Sequence, residues 1–139
     1  MSSTGNRIAI IVDPSLAIGL IANTVATIAI GLGAVEPAFG NVTLTDVAGR
    51  SVKNSADRPV PILQAPAEAI RMALLRALPA PDGGIVVPFP QFARSLHDSA
   101  AYQAQFAARD LATETIEAVG FAGPERWVKS LTGSLKLLR

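Results

Sequence analysis

The residues best placed to do chemistry follow the first apolar run of the chain. Asp13, Ser15 and Gly19 come soon after Ile8–Val12, where a strand would end and a helix would begin. Ligands of α/β sheets gather at the carboxyl ends of strands, beside the N-termini of helices. These residues therefore predict a ligand-binding corner. The alternative is that Asp13 and Ser15 only cap the helix that follows.

A further polar residue, Asn23, lies inside an otherwise apolar stretch. A buried amide needs hydrogen-bonding partners. Asn23 is therefore predicted either to lock the core or to line a cleft.

The familiar catalytic patterns are absent from the sequence. There is no phosphate-binding loop, and Gly31 and Gly33 follow a predicted helix, whereas dinucleotide-binding folds place such glycines after a strand. His97 is the only histidine and there is no cysteine, so we expect neither a metal site nor a cofactor. Ser95 and Asp98 lie beside His97 on one predicted helix, and such neighbours do not point at a common atom. We expect His97 at the surface.

The C-terminal segment forms a small basic patch on a nearly neutral chain. It contains Arg126, Lys129, Lys136 and Arg139, with no acid between positions 126 and 139. The net charge of +1 gives no overall field that would attract nucleic acid or an anionic membrane. The patch is either a solvated face or a contact for phosphate or RNA.

The elements that position these residues begin with a strand and a long apolar helix. Ile8–Val12 predicts a strand covered on both faces. A helix from about Leu16 to Leu32 is apolar nearly all round, so it is predicted to be covered on most sides. Residues 14–35 carry no charge and could span a bilayer. Their polar residues and glycines favour a buried core helix, so we expect no membrane association.

The rest of the chain alternates strands with helices. With 139 residues we expect a single α/β domain over 1–139, with 1–6 flexible, and the lack of cysteine fits a cytoplasmic location. The order predicts a three-layer fold with a small mixed, mostly parallel sheet of about four strands. The predicted elements are an edge strand at Val42–Thr45, a turn at Asp46–Arg50, a strand at Pro59–Ala65, a helix at Pro66–Leu78, a strand at Ile85–Val87 broken by Pro88 and Pro90, a helix over 91–109, a strand over 115–122 and a helix at Glu125–Leu131.

Both ends of the chain carry motifs that resemble known families. The ending Gly123-Pro-Glu-Arg-Trp-Val-Lys-Ser-Leu-Thr-Gly-Ser-Leu-Lys-Leu-Leu138 is similar to the C-terminus of type-two peptidyl-tRNA hydrolases. Ile8–Val12 and Gly19-Leu-Ile-Ala-Asn-Thr24 resemble their first strand and Gly-Lys-Ile-Ala-Ala-Gln helix. Taken whole, the chain looks more like a bacterial family called domain of unknown function (DUF) two thousand. The resemblance implies the type-two hydrolase fold.

The catalytic groups of the hydrolases match this chain poorly. Leu20 stands where their helix has a lysine, and their acid would fall near Pro88. The resemblance therefore implies a changed or lost ligand and an apolar surface at Leu20.

Three hypotheses about function follow. The first is a non-catalytic binding or regulatory module that self-associates as a homodimer or higher oligomer. The second is a divergent esterase or peptidyl-tRNA hydrolase-like enzyme, and the third is weak RNA binding through the basic patch. A small molecule and RNA are both open as ligands. The candidate cleft consists of Asp13, Ser15, Gly19, Leu20, Asn23, Lys129 and Thr132.

Overall fold

The computed structural model describes residues 5–139, which form a five-stranded sheet with helices on both faces. We predict from the sequence that residues 1–6 are flexible, but residues 1–4 lie outside the described residues. Asn6 already belongs to the first strand.

The strands and helices follow the predicted order. Two further strands, Ser51–Lys53 and Lys136–Leu137, are added to it. The helices predicted at about Leu16–Leu32, at Pro66–Leu78 and at Glu125–Leu131 are confirmed, and so is the turn at Asp46–Arg50. The elements are β1 Asn6–Val12, α1 Ile18–Val35, a 3₁₀ helix Pro37–Phe39, β2 Thr43–Thr45, β3 Ser51–Lys53, β4 Ile62–Gln64, α2 Ala67–Ala77, β5 Ile85–Pro90, a 3₁₀ helix Gln91–Ser95, α3 Ser99–Ala107, a 3₁₀ helix Leu111–Thr113, β6 Ile116–Pro124, α4 Glu125–Thr132 and β7 Lys136–Leu137.

The main sheet has the order β5-β6-β1-β4-β7, and β2 and β3 form a separate hairpin. The prediction of a mixed sheet is confirmed, but the prediction of a mostly parallel sheet of about four strands is wrong. Only β1 and β4 are parallel, because the α1 crossover returns the chain in the same direction. The other neighbouring pairs in the sheet are antiparallel.

Strand β5 runs through the two prolines that were predicted to break it. Pro88 lies opposite Val119 and Pro90 opposite Ile116. This is tolerated because β5 is at the edge of the sheet, where a strand needs backbone donors on one side only.

Alternating residues of β1 divide the core into two layers. Ile8, Ile10 and Val12 pack with α1, whereas Ala9 and Ile11 pack with α2 and α4. Helices α1 and α4 therefore lie on opposite faces of the sheet.

Helix α1 is far more exposed than its sequence predicts. Only Thr24, Ile28 and Leu32 are buried, so the prediction that most sides are covered is wrong. These residues recur every four positions, which defines one stripe that a single sheet can cover. By length and composition α1 could also cross a membrane, since its 18 residues have a mean hydropathy of 2.0 and only 17% of them are buried. Core helices and signal sequences meet the same criterion.

The predicted helix over 91–109 is split into a 3₁₀ helix and α3. Asp98 starts α3 by accepting a hydrogen bond from the Ala100 backbone N–H (2.9 Å). Phe92, Tyr102 and Phe106 pack on one another, with ring centroids 5.7–6.3 Å apart, and stay half-buried. They form a small aromatic cluster beside the main core.

Gly120 of β6 sets how closely α1 approaches the sheet. A Cβ there would lie 2.4 Å from Cγ2 of Ile28 and 3.1 Å from Cδ1 of Leu32. We expect Gly120→Ala to lower the free energy of unfolding by about 1–3 kcal/mol, because α1 must move outward. Urea denaturation measures this. Gly33→Ala, on α1 with nothing within 4 Å of the added Cβ, is the control and should not destabilise. Equal midpoints for the two variants would contradict the expectation.

Candidate functional site

The candidate site begins at an irregularity where β6 starts. Phe89 of β5 lies opposite Ala118, but Pro90 lies opposite Ile116, so Glu117 has no partner residue on β5. Such bulges redirect a side chain and are frequent beside functional sites. The Glu117 side chain is only 8% exposed, and a carboxylate buried to that extent needs a partner.

Arg94 supplies that partner and connects three elements. Its Nε donates to Oε1 of Glu117 (2.6 Å), and its Nη2 donates to Oγ1 of Thr24 (2.7 Å). Thr24 in turn donates to the Leu20 backbone oxygen (2.6 Å). The guanidinium also lies over the Phe89 ring, 4.7 Å from its centroid. This corner network ties β6, the 3₁₀ helix before α3, and α1 together.

A cleft of about 320 Å³ lies beside the corner network. Its walls come from α1, β5 and the segment that leads into α3, and they are mostly apolar. Thr27, His97, Ser99 and Tyr102 add polar groups. Burial raises the pKa of the Tyr102 phenol above its ordinary value, so the phenol keeps its proton at neutral pH and can donate. The other lining residues are Ile28, Val87, Pro88, Phe89, Ala93, Leu96 and Asp98.

Asp13 and Ser15 form a local turn before α1. Oδ1 of Asp13 accepts hydrogen bonds from the Ser15 backbone N–H (2.9 Å) and hydroxyl (2.7 Å). Neither residue caps α1, because the N-cap position is Ala17, which has no side-chain cap. Asp13 and Ser15 line a separate open depression with Gln64, away from the cleft described above.

The predicted residues of α1 lie on its outer side. Gly19, Leu20 and Asn23 are all exposed. The prediction that Asn23 is buried is therefore wrong. Neighbouring helix residues point about 100° apart, so the burial of Thr24 turns Asn23 toward the outside. The apolar surface predicted at Leu20 is present.

Lys129 and Thr132 belong to α4, across the sheet from Asn23. Lys129 Nζ pairs with Oε1 of Glu125 (2.8 Å), and this hydrogen bond holds the pKa of Glu125 below its usual range. Thr132 is buried and donates to the Val128 backbone oxygen (2.8 Å). The structure therefore does not bring the seven predicted cleft residues together.

The basic patch has an acid at its start. Glu125 pairs with Lys129 and lies 3.9 Å from Nη1 of Arg7, so part of the positive charge is compensated. Arg126 is exposed on α4, and Lys136 and Arg139 are exposed near the C-terminus. Contact with phosphate or RNA through these residues stays a prediction.

The corner network was not foreseen from the sequence. Arg94 and Glu117 are 23 residues apart, and Thr24 is 70 residues from Arg94. The available signal was a single charge, Glu117, within the otherwise apolar run from Ile116 to Ala122. A charge inside a strand with two covered faces requires a partner.

Fold and site together define a mixed α/β domain with an ion-paired corner and an adjoining apolar cleft. The sequence model described as "Protein of unknown function (DUF2000)" matches residues 6–139, so the chain belongs to this family. The predicted resemblance to domain of unknown function two thousand is thereby confirmed.

A solved structure has the same fold over almost its whole length. It is the protein of unknown function Atu0240 from Agrobacterium tumefaciens str. C58, which is 20% identical, with a TM-score of 0.86. The match covers 96% of this chain and 97% of that one, and at this identity it shows the fold alone. Comparison with curated proteins gives no match. The likeness to type-two peptidyl-tRNA hydrolases stays a prediction.

Proposed function

We propose that the protein is a non-catalytic module that binds a small, largely apolar molecule in the cleft between α1, β5 and α3. The observation that carries this proposal is the cleft itself, whose volume of about 320 Å³ is that of a small-molecule site. Apolar walls formed by Val87 and Phe89 would hold the body of the ligand. The hydroxyl of Tyr102 and the imidazole of His97 would orient its polar end.

The corner network supports binding rather than turnover. Glu117, the buried carboxylate of the corner, is paired with Arg94 and is not among the residues that line the cleft. His97 is exposed, and no described carboxylate orients its ring by a hydrogen bond. In a Ser-His-Asp triad a carboxylate of this kind holds the histidine in the reactive orientation.

The same reasoning applies if the fold is that of the type-two hydrolases, which the motifs at both ends of the chain favour. Leu20 is exposed in place of their lysine. The cation that does reach α1, Arg94, is engaged by Glu117 and Thr24. This arrangement supports a fold retained for binding after its hydrolase groups were lost.

Titration with indole and with 4-methylphenol tests the cleft. We expect amide NMR shifts of ¹⁵N-labelled protein to saturate, and the largest shifts to lie over residues 96–102 and at Thr27. Thr27→Trp should abolish the shifts because the indole of the new side chain fills the cleft. Thr113→Trp, an exposed threonine that does not line the cleft, is the matched control and should bind as the wild type does.

Two results would overturn the proposal. Shifts that persist in Thr27→Trp would place the probe elsewhere. Turnover of 4-nitrophenyl acetate that disappears in His97→Gln would show that the cleft is catalytic.

A further inference from the structure

The outer face of α1 is an uncovered apolar surface about 27 Å long. No charged residue occurs within Ile18–Val35. Ile30, which points away from the buried stripe, is 73% exposed, and Ile18, in the N-terminal turn, is 86% exposed. A long uncharged face that is largely apolar, with Asn23 as a polar residue in it, is typical of an interaction site in a folded domain.

A second uncovered apolar surface lies on the β2–β3 hairpin, which we call the arm (residues 43–53). Every residue of the arm is exposed. Leu44 and Val52 pair across the strands on one face and are 46% and 63% exposed. The other face is polar, where Lys53 Nζ donates to Thr43 Oγ1 (2.7 Å). A two-stranded hairpin alone is marginally stable in water, so its apolar face needs a cover.

The base of the arm is fixed beside the C-terminal end of α1. The Asp57 backbone N–H donates to the oxygen of Phe39 (2.6 Å), and Asn54 N–H donates to the oxygen of Val42 (2.8 Å). Phe39 is buried in the core layer that contains α1, and the Arg58 guanidinium lies 4.8 Å from its ring centroid. The arm is therefore anchored to the body at a defined position.

We propose that two copies of the chain pair through the outer faces of antiparallel α1 helices, and that each arm covers part of its partner. Because the arm starts at the C-terminal end of α1, antiparallel pairing brings it to the partner's N-terminal turn. Ile18 and Leu20 are exposed there on opposite flanks of the helix, and Leu20 would contact the Leu44–Val52 face. The arrangement is two-fold symmetric and closed.

A second copy fits this surface for two reasons. The charge-free face of α1 complements another charge-free face, and the arm supplies an apolar surface of matching character. Size is the second reason, since a stable interface takes about 20–30 residues from each partner. The eleven exposed residues of α1 and the eleven of the arm are the pool from which each partner's contacts would come. This inference does not depend on the ligand proposed for the cleft.

Light scattering after size-exclusion chromatography tests the pairing. The wild type should have twice the 14.4 kDa mass of one chain. Ile30→Glu should raise the dimer dissociation constant by at least about 100-fold, because the carboxylate would be buried without a partner. Leu44→Glu, in the arm, should raise it about tenfold. Met72→Glu, an equally apolar exposed site on α2, is the matched control and should remain dimeric.

Cysteine cross-linking tests the position of the arm, because the chain has no cysteine of its own. Mixed copies carrying Leu20→Cys and Leu44→Cys should form a disulfide, whereas Met72→Cys mixed with Leu44→Cys should not. NMR spectra of each variant establish that it is folded.

Three outcomes would overturn the proposal. The first is a wild type that is monomeric from micromolar to millimolar concentration. A monomer that co-sediments with phosphatidylcholine vesicles would identify a membrane as the occupant of α1. Finally, a dimer that Ile30→Glu or Leu44→Glu leaves unchanged would show that another surface is used.

Discussion

Arg94→Met is expected to lower the free energy of unfolding by about 3–5 kcal/mol, because it leaves Glu117 buried without its countercharge. Methionine keeps much of the length of the side chain and removes all of its hydrogen-bond donors. The substitution also removes the donor to Thr24, so α1 loses its polar link to β6. Denaturation by urea, followed by circular dichroism, measures the change.

The matched control for this experiment is Arg109→Met. Arg109 also pairs with a glutamate, since its Nη1 lies 2.9 Å from Oε1 of Glu114, and it also stacks on an aromatic ring. Its side chain is more exposed than that of Arg94, so we expect a loss of at most about 1 kcal/mol. Adding Glu117→Leu to Arg94→Met should recover part of the stability, because the unpaired charge is then gone. Equal losses in the two arginine variants would contradict this account of the corner.

Phe121→Ala is the second large effect, with an expected loss of about 3–5 kcal/mol. Phe121 is completely buried in β6, and its ring meets Trp127 nearly edge-on, with centroids 6.0 Å apart. The cavity left by the ring lies between the sheet and the layer of α2 and α4. Trp127 is the only tryptophan, so its fluorescence follows both the local change and global unfolding.

Phe92→Ala makes the same deletion in the small aromatic cluster and serves as the control. Phe92 is half-buried, and its ring contacts Tyr102 and Phe106. We expect it to cost clearly less than Phe121→Ala, because solvent and neighbouring rings can fill the space. If Phe92→Ala were the more damaging, the aromatic cluster and not the sheet would be the centre of stability.

Local patterns predicted much of the fold. Ile8–Val12 identified β1, the segment Pro66–Leu78 identified α2, and the Asp46–Arg50 turn was evident from its residue types. In each case the cause is the neighbouring sequence. The direction of a strand relative to its neighbour is not determined by adjacent residues. Nothing within 115–122 therefore shows that β6 runs antiparallel to β1.

The candidate site was harder to predict than the fold. In a helix as uniformly apolar as α1, periodicity does not tell which stripe faces the sheet, so Asn23 and Thr24 could not be distinguished. Contact with the sheet makes that choice. The pairing of Arg94 with Glu117 likewise depends on the register shift between β5 and β6, which exists only after the strands have paired.

The pairing of β1 with β6 has a consequence for the chain during its synthesis. Val12, the last residue of β1, leaves the ribosome 104 residues ahead of Ile116, the first residue of its longest partner, Ile116–Pro124. At about 5–20 residues per second, the two are separated by roughly 5–20 s. Throughout that interval the apolar α1 has no completed sheet to pack against. The newborn chain therefore depends on rapid completion, or on a chaperone, to keep α1 from aggregating with other chains.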